Sequence, residues 1–218
     1  MPDTSYTDIT MLLDRSGSMQ SIRGDVVGGF AAYVDTQRAD PGRCTVSLYQ
    51  FDDRYDEVYV GRPVAEVPAL VLEPRGTTAL LDAIGRTIVS TRTRLAALPE
   101  GERPGTVVFC IMTDGMENAS QEFTHAAIKR LIETQEQVDG WTFQYMGADQ
   151  DAIEVGASIG IDASQALTFD RGKAADALRT AGRSATRLKQ ARMAGHDVAA
   201  ARSQAAFTDD ERDQAGSS

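Results

Sequence analysis

No stretch of this chain approaches the roughly 20 consecutive apolar residues that a membrane-crossing helix needs, so no membrane partner is expected. Histidine is nearly absent. His125 and His196 stand alone, without a ligand or triad partner nearby in the sequence, which argues against a histidine-based zinc site or hydrolase triad. There are only two cysteines, Cys44 and Cys110, each inside an apolar run. One pair cannot build a disulfide framework and lacks zinc-site spacing, so both read as buried thiols. Lysine is scarce as well, Lys129 being the only one in residues 1–170. The first residues, Met1-Pro2-Asp3-Thr4-Ser5, show no basic-then-apolar leader, and a cytoplasmic protein is the expectation. No internal repeat is visible.

What is present is the mix of a globular protein. The 218 residues are 42% hydrophobic and 25% charged, enough for one domain with a substantial core. The formal net charge is −10, unevenly spread. Residues 1–170 hold 13 basic and 26 acidic side chains, whereas residues 171–218 hold 9 and 6. An acidic body argues against a nucleic-acid surface. The change in composition divides the chain into a domain over 1–170, a basic helix over 171–196 and a flexible tail over 197–218. Arg179, Arg183 and Arg187 recur at four-residue spacing on that helix, which either packs on the acidic body or docks an acidic partner.

Apolar runs alternate with helical patterns. Asp8–Asp14 reads as a strand and Met19–Gln37 as a helix. Cys44–Phe51 alternates as a strand, and Asp52-Asp53-Arg54 turns it into Tyr55–Val60, an antiparallel hairpin at a sheet edge. A helix follows Gly76-Thr77-Thr78. Thr106–Thr113 is a continuous apolar run, as a central parallel strand should be. Phe123–Val138 is helical, Trp141–Met146 a strand, and Gln165–Phe169 a last strand candidate. This order predicts an α/β fold of the Rossmann-like, doubly wound type: a mostly parallel central sheet, one antiparallel edge strand, and helices on both faces. Ligands of such sheets bind outside the carboxyl ends of the strands, where the strand order reverses.

Three loops at that edge are rich in hard oxygen donors: Asp14-Arg15-Ser16-Gly17-Ser18, Gly76-Thr77-Thr78 and Thr113-Asp114-Gly115. Each alone reads as a helix cap or a turn. Together they offer two carboxylates and three hydroxyls to one edge, a donor set suited to a hard divalent cation such as Mg²⁺. Ser16 and Ser18, two apart around Gly17, can face inward with Asp14, while Asp114 approaches from a neighbouring strand. Asp52 and Glu117 lie close enough in the pattern to form a rim or an alternative ligand; a polar hairpin turn and a solvated loop are their simpler readings.

Asp14-x-Ser16-x-Ser18, with Thr78 and Asp114 in their contexts, resembles the metal-ion-dependent adhesion site of the von Willebrand factor type A (VWA) domain. The phrases LLDRSGSM, GTTALLDAI and IMTDGMEN carry the resemblance, which spans roughly residues 6–170. Counting back from Asp82-Ala83-Ile84 favours Thr78 as the matching position, with Thr77 the alternative. The resemblance implies that Ser16 and Ser18 bind the metal directly, Thr78 directly or through water, and the two Asp largely through water. It also implies that an Asp or Glu of a partner protein completes the shell. Mg²⁺ is the expected ion, with Mn²⁺ or Ca²⁺ as alternatives.

The function expected is therefore a non-enzymatic, metal-dependent protein-binding module. A second reading is an intracellular scaffold with a structural metal, since proteins resembling this family work beside AAA+ ATPases, chelatases or tellurium-resistance proteins. A third is a Mg²⁺-dependent phosphatase-like enzyme with Asp14 as nucleophile. The haloacid dehalogenase-like phosphatases carry a second Asp two residues on, where this chain has Ser16, and no basic residue is evident for the phosphate within residues 1–170.

Overall fold

The structure is a computed structural model describing residues 1–149 and 151–216. Its centre is a six-stranded sheet with the spatial order β3-β2-β1-β4-β5-β6. The strands are β1 (Asp3–Asp14), β2 (Arg43–Phe51), β3 (Tyr55–Pro63), β4 (Pro104–Thr113), β5 (Thr142–Ala148) and β6 (Ala166–Phe169). All neighbours pair parallel except β2 with β3, which form an antiparallel hairpin at one edge. β1 begins five residues before the stretch its apolar run marks out, because Asp3 pairs with Pro104 across an irregularity. The sheet reverses its winding between β1 and β4, so their carboxyl ends, at Asp14 and Thr113, flank the switch point.

Helices cover both faces. α1 (Arg23–Ala39) and α5 (Ala174–Met193) lie on one; α2 (Leu80–Ala96), α3 (His125–Val138) and the short α4 (Ala152–Ser158) lie on the other. The first core joins Val26, Phe30 and Tyr33 to Val46, Cys110 and Met146, and to Ala177, Ala181 and Ala185 of α5. The second joins Ile84 and Ile88 to Phe109, Phe143, Ile128 and Ile132. The helical pattern read from Met19 divides here: Gly17–Ser21 is a tight 3-10 turn, and α1 starts at Arg23.

α1 and α5 touch almost backbone to backbone. A Cβ on Gly29 would lie 2.8 Å from the Ala175 Cα, and Gly182 packs on Tyr33. The run of buried alanines along α5 permits that approach. The basic helix is therefore packed on the domain, as its apolar face allows.

The C-terminal stretch departs from the expected flexible tail. It forms α6 (Val198–Ala205) and α7 (Asp209–Ala215), with Ala201, Ala205, Phe207 and Ala215 buried. Thr208 and Glu211 make a reciprocal capping box at the start of α7. Glu211 also accepts from Arg187 Nη1 and Nη2, each at 2.9 Å, and meets Arg183 at 3.5 Å. Arg212 reaches the Ala166 and Ala163 carbonyls beside β6. Glu211 is thus held by Arg183 and Arg187 of α5, while Asp209, Asp210 and Asp213 stay exposed, and α7 covers the β6 edge. Among the described residues no helix is long and apolar enough to cross a membrane.

Candidate functional site

Asp14 ends β1 and is wholly buried. One carboxylate oxygen accepts the Ser16 amide at 2.6 Å, and the other accepts the Thr113 hydroxyl at 2.6 Å. Thr113 closes β4, so the two strands at the switch point are tied by this pair. Beyond Asp14 the chain enters the 3-10 turn, which sets Ser16 Oγ 3.1 Å from Ser18 Oγ. Ser18 Oγ then donates to Asp114 Oδ1 at 2.6 Å. The first and third loops therefore meet through a chain of side-chain oxygens.

The second loop closes over them. Gly17 N donates to the Gly76 carbonyl, and Arg75 N donates to the Arg15 carbonyl. Gly76 has a φ of +67°, and a side chain there would strike Asp53, so glycine is required at this bend. Thr78 is buried and Thr77 exposed. A Cβ built on Gly115 would lie 2.8 Å from Thr78 Oγ1 and 3.6 Å from Asp14 Oδ2. The space left by the missing Gly115 side chain is thus bordered by an oxygen from each of two loops. Asp14, Ser16, Ser18, Thr78 and Asp114 come together at this edge.

The other three residues considered lie elsewhere. Thr77 points to solvent. Asp52 is buried and accepts Arg15 Nε and Arg75 Nε, each at 2.8 Å, together with the Arg54 amide. Burial acts to raise its carboxyl pKa, but the hydrogen bonds from Arg75, the Arg54 amide and Arg15 outweigh it and hold the group below the usual range. Its oxygens brace two loops. Glu117 accepts the amides of Leu81, Ala119 and Ser120 and the Ser120 hydroxyl. It caps α2 and shapes the loop after Asp114, while Asn118 Oδ1 accepts the Thr78 amide at 3.0 Å. Asp82 works beside it, taking the amides of Gln121, Glu122 and Phe123.

Two contributors escape the motif. Thr113 belongs to the third oxygen-rich loop, but a threonine ending an apolar strand reads as strand and so is given no role of its own. Arg171 hides because it follows the expected domain boundary at 170 by one residue. Its Nη1 donates to Asp114 Oδ2 at 2.7 Å, and its Nε to Asp149 Oδ2 at 2.7 Å. The signal for it was positional: it follows the last strand at the same carboxyl edge.

The electrostatics are those of an anionic, partly dried site. Burial pushes the Asp14 carboxyl up to about 6, against hydrogen bonds from Thr113 and Ser16 that favour the charged form; the nearby Asp114 charge adds to the rise. Among the described residues no three His, Cys, Asp or Glu gather as a metal cage. Any ion here depends on hydroxyls for its remaining ligands. Two carboxylates, three hydroxyls and no soft donor fit a hard divalent cation and misfit zinc or copper.

No family profile matches the chain, and no curated protein does. Solved structures do. A von Willebrand factor type A protein from Catenulispora acidiphila superposes with a TM-score of 0.57 at 15% identity, over 83% of this chain and 43% of that one. The fold is that of a VWA domain. The pilus adhesin SpaC from Lactobacillus rhamnosus GG superposes at a TM-score of 0.61 and 15% identity, over 83% of this chain and 30% of its own. The vWF domain of the type V pili tip protein Mfa5 from Porphyromonas gingivalis reaches 0.55 at 11% identity, over 81% of this chain and 94% of that one. The chain spans less than half the length of the first of these proteins. Its VWA fold carries the oxygen cluster at the switch point of the sheet.

Proposed function

We propose that this VWA domain is a protein-interaction module whose switch-point cluster holds a divalent cation, Mg²⁺ first among candidates, that an Asp or Glu of a partner protein then ligates. One observation carries the reading: five oxygen-bearing side chains from three loops meet at the switch point, only two of them carboxylates. Ser16, Ser18 and Thr78 would hold the ion, with Asp14 and Asp114 behind them. An ion so held keeps more of its positive charge than one ringed by carboxylates, and so attracts an external carboxylate. On a body with 26 acidic and 13 basic residues it supplies a local positive spot for an acidic partner.

Several of the similar folds belong to proteins named as a pilus adhesin, a pili tip protein or a minor pilin, which supports a binding role without catalysis. Docking through the arginine stripe finds less support, since Arg183 and Arg187 are engaged by Glu211. We also propose a cytoplasmic location, on the separate ground that Cys44 and Cys110 are buried free thiols. The test is Mg²⁺ titration by calorimetry together with partner capture in Mg²⁺ and in EDTA. Uptake by wild type, lost in Asp14→Ala, and capture only with the ion are expected. Equal capture under both conditions would overturn the reading.

A further inference from the structure

Arg171 places a positive charge against the same cluster. It sits in the loop between β6 and α5, and its guanidinium is spread over several acceptors. Nη1 donates to Asp114 Oδ2 at 2.7 Å and approaches Ser21 Oγ at 3.2 Å and the Ser18 carbonyl at 3.4 Å; Nη2 lies 3.4 Å from the Asp114 carbonyl. Nε is taken by Asp149 at 2.7 Å. The arrangement is built rather than casual. Asp149 is, among the described residues, the one non-glycine residue with a positive φ, +49°, a conformation that surrounding structure must hold. The loop itself is clamped from behind. The Asp170 amide donates to the Ala215 carbonyl at 3.0 Å, and Lys173 Nζ to the Gly216 carbonyl at 3.1 Å.

The two oxygens of Asp114 therefore face different duties. Oδ1 meets Ser18 inside the cluster, while Oδ2 is occupied by Arg171. With Asp14 and Asp114 alone, the cluster would carry a formal charge of about −2, and a divalent cation would neutralise it. Arg171 offsets part of that charge, its Nη1 lying against the buried Asp114 while its Nε turns to Asp149, whose half-exposed carboxylate is screened by solvent, so the loaded site keeps a positive excess of less than about +1. We infer that Arg171 is a positioning residue that turns one Asp114 oxygen away from the cluster and offsets its charge, so that the site holds a divalent cation less tightly and leaves it hungrier for a carboxylate. This rests on the metal-binding reading above.

The test uses Mg²⁺ alone, titrated calorimetrically into the full chain as wild type, Arg171→Gln and Arg171→Lys, with each variant's melting temperature measured in EDTA and in Mg²⁺. Removing the charge in Arg171→Gln should tighten Mg²⁺ binding about five-fold or more. Its melting temperature should fall in EDTA and rise on adding Mg²⁺ by more than wild type's does. Arg171→Lys, which keeps the charge, should stay within about two-fold of wild type. A merely structural tie predicts a lower melting temperature in both media with Mg²⁺ affinity unchanged, and that result overturns the inference alone. No uptake by wild type would overturn the metal reading and this inference together.

Discussion

At the scale of single residues, adjacent or near-adjacent side chains do different work. Thr77 and Thr78 are chemically identical in sequence, but only Thr78 is buried against the cluster. Thr78→Ala should weaken Mg²⁺ binding at least about ten-fold, and Thr77→Ala should change it less than about two-fold; calorimetry decides. Asp14 closes β1, Asp52 directly follows β2 and both are buried, yet Asp52 is given over to Arg15 and Arg75. Arg15 is only 8% exposed along its side chain. Asp52→Ala would leave Arg15 only the half-exposed Asp56 as an acidic partner and should cost about 2 kcal/mol by urea unfolding, with added Mg²⁺ recovering none of it. Spacing alone could nominate all four residues. Which oxygen faced a guanidinium and which faced the cluster depended on neighbours distant in the chain.

At the scale of elements, packing and capping decide. The α1–α5 contact runs through Gly29, where an added methyl meets backbone rather than a yielding side chain. Gly29→Ala should therefore lower stability by about 1–3 kcal/mol, seen as a shift in the urea midpoint, although alanine is the better helix former. The loop between β4 and α3 hangs on the buried Asp82 in the first turn of α2 and on its own half-buried Glu117, which accepts the Leu81 amide. Burial acts to raise both, but amide hydrogen bonds to Asp82, and the Ser120 hydroxyl and amide hydrogen bonds to Glu117, leave each below the usual carboxylate range. A carboxyl depressed in the folded state adds stability above its unfolded pKa, near 4, and that stability goes as pH falls through the folded value. The urea midpoint should drop between pH 6 and pH 3, and the drop should be smaller in Asp82→Asn. An equal drop would remove Asp82 from the acid response. These elements were largely legible in the periodicity of the chain. Where they began was less so, because Ile22 and Ala79, just ahead of α1 and α2, take non-helical conformations set by the loops they join.

For the whole molecule, the C-terminal stretch is part of the domain. α7 locks β6 through Arg212 and is locked in turn by Arg187 on Glu211. A chain ending at Ala206 should melt several degrees lower than the full chain by calorimetry, since it loses buried Phe207 and Ala215 and bares the β6 edge. An unchanged melting temperature would mean that α7 is an ornament. The sequence by itself determined the alternation of strands and helices, the doubly wound layout and the three oxygen-rich loops, because periodicity and strand-end position are local properties of the chain. Tertiary structure alone decided that the acidic tail is folded, that Asp52 and Glu117 serve the scaffold, and that Arg171 reaches Asp114. Those outcomes are pairings of charge and hydrogen bonds between residues up to 57 positions apart, and only the assembled sheet brings such partners within reach.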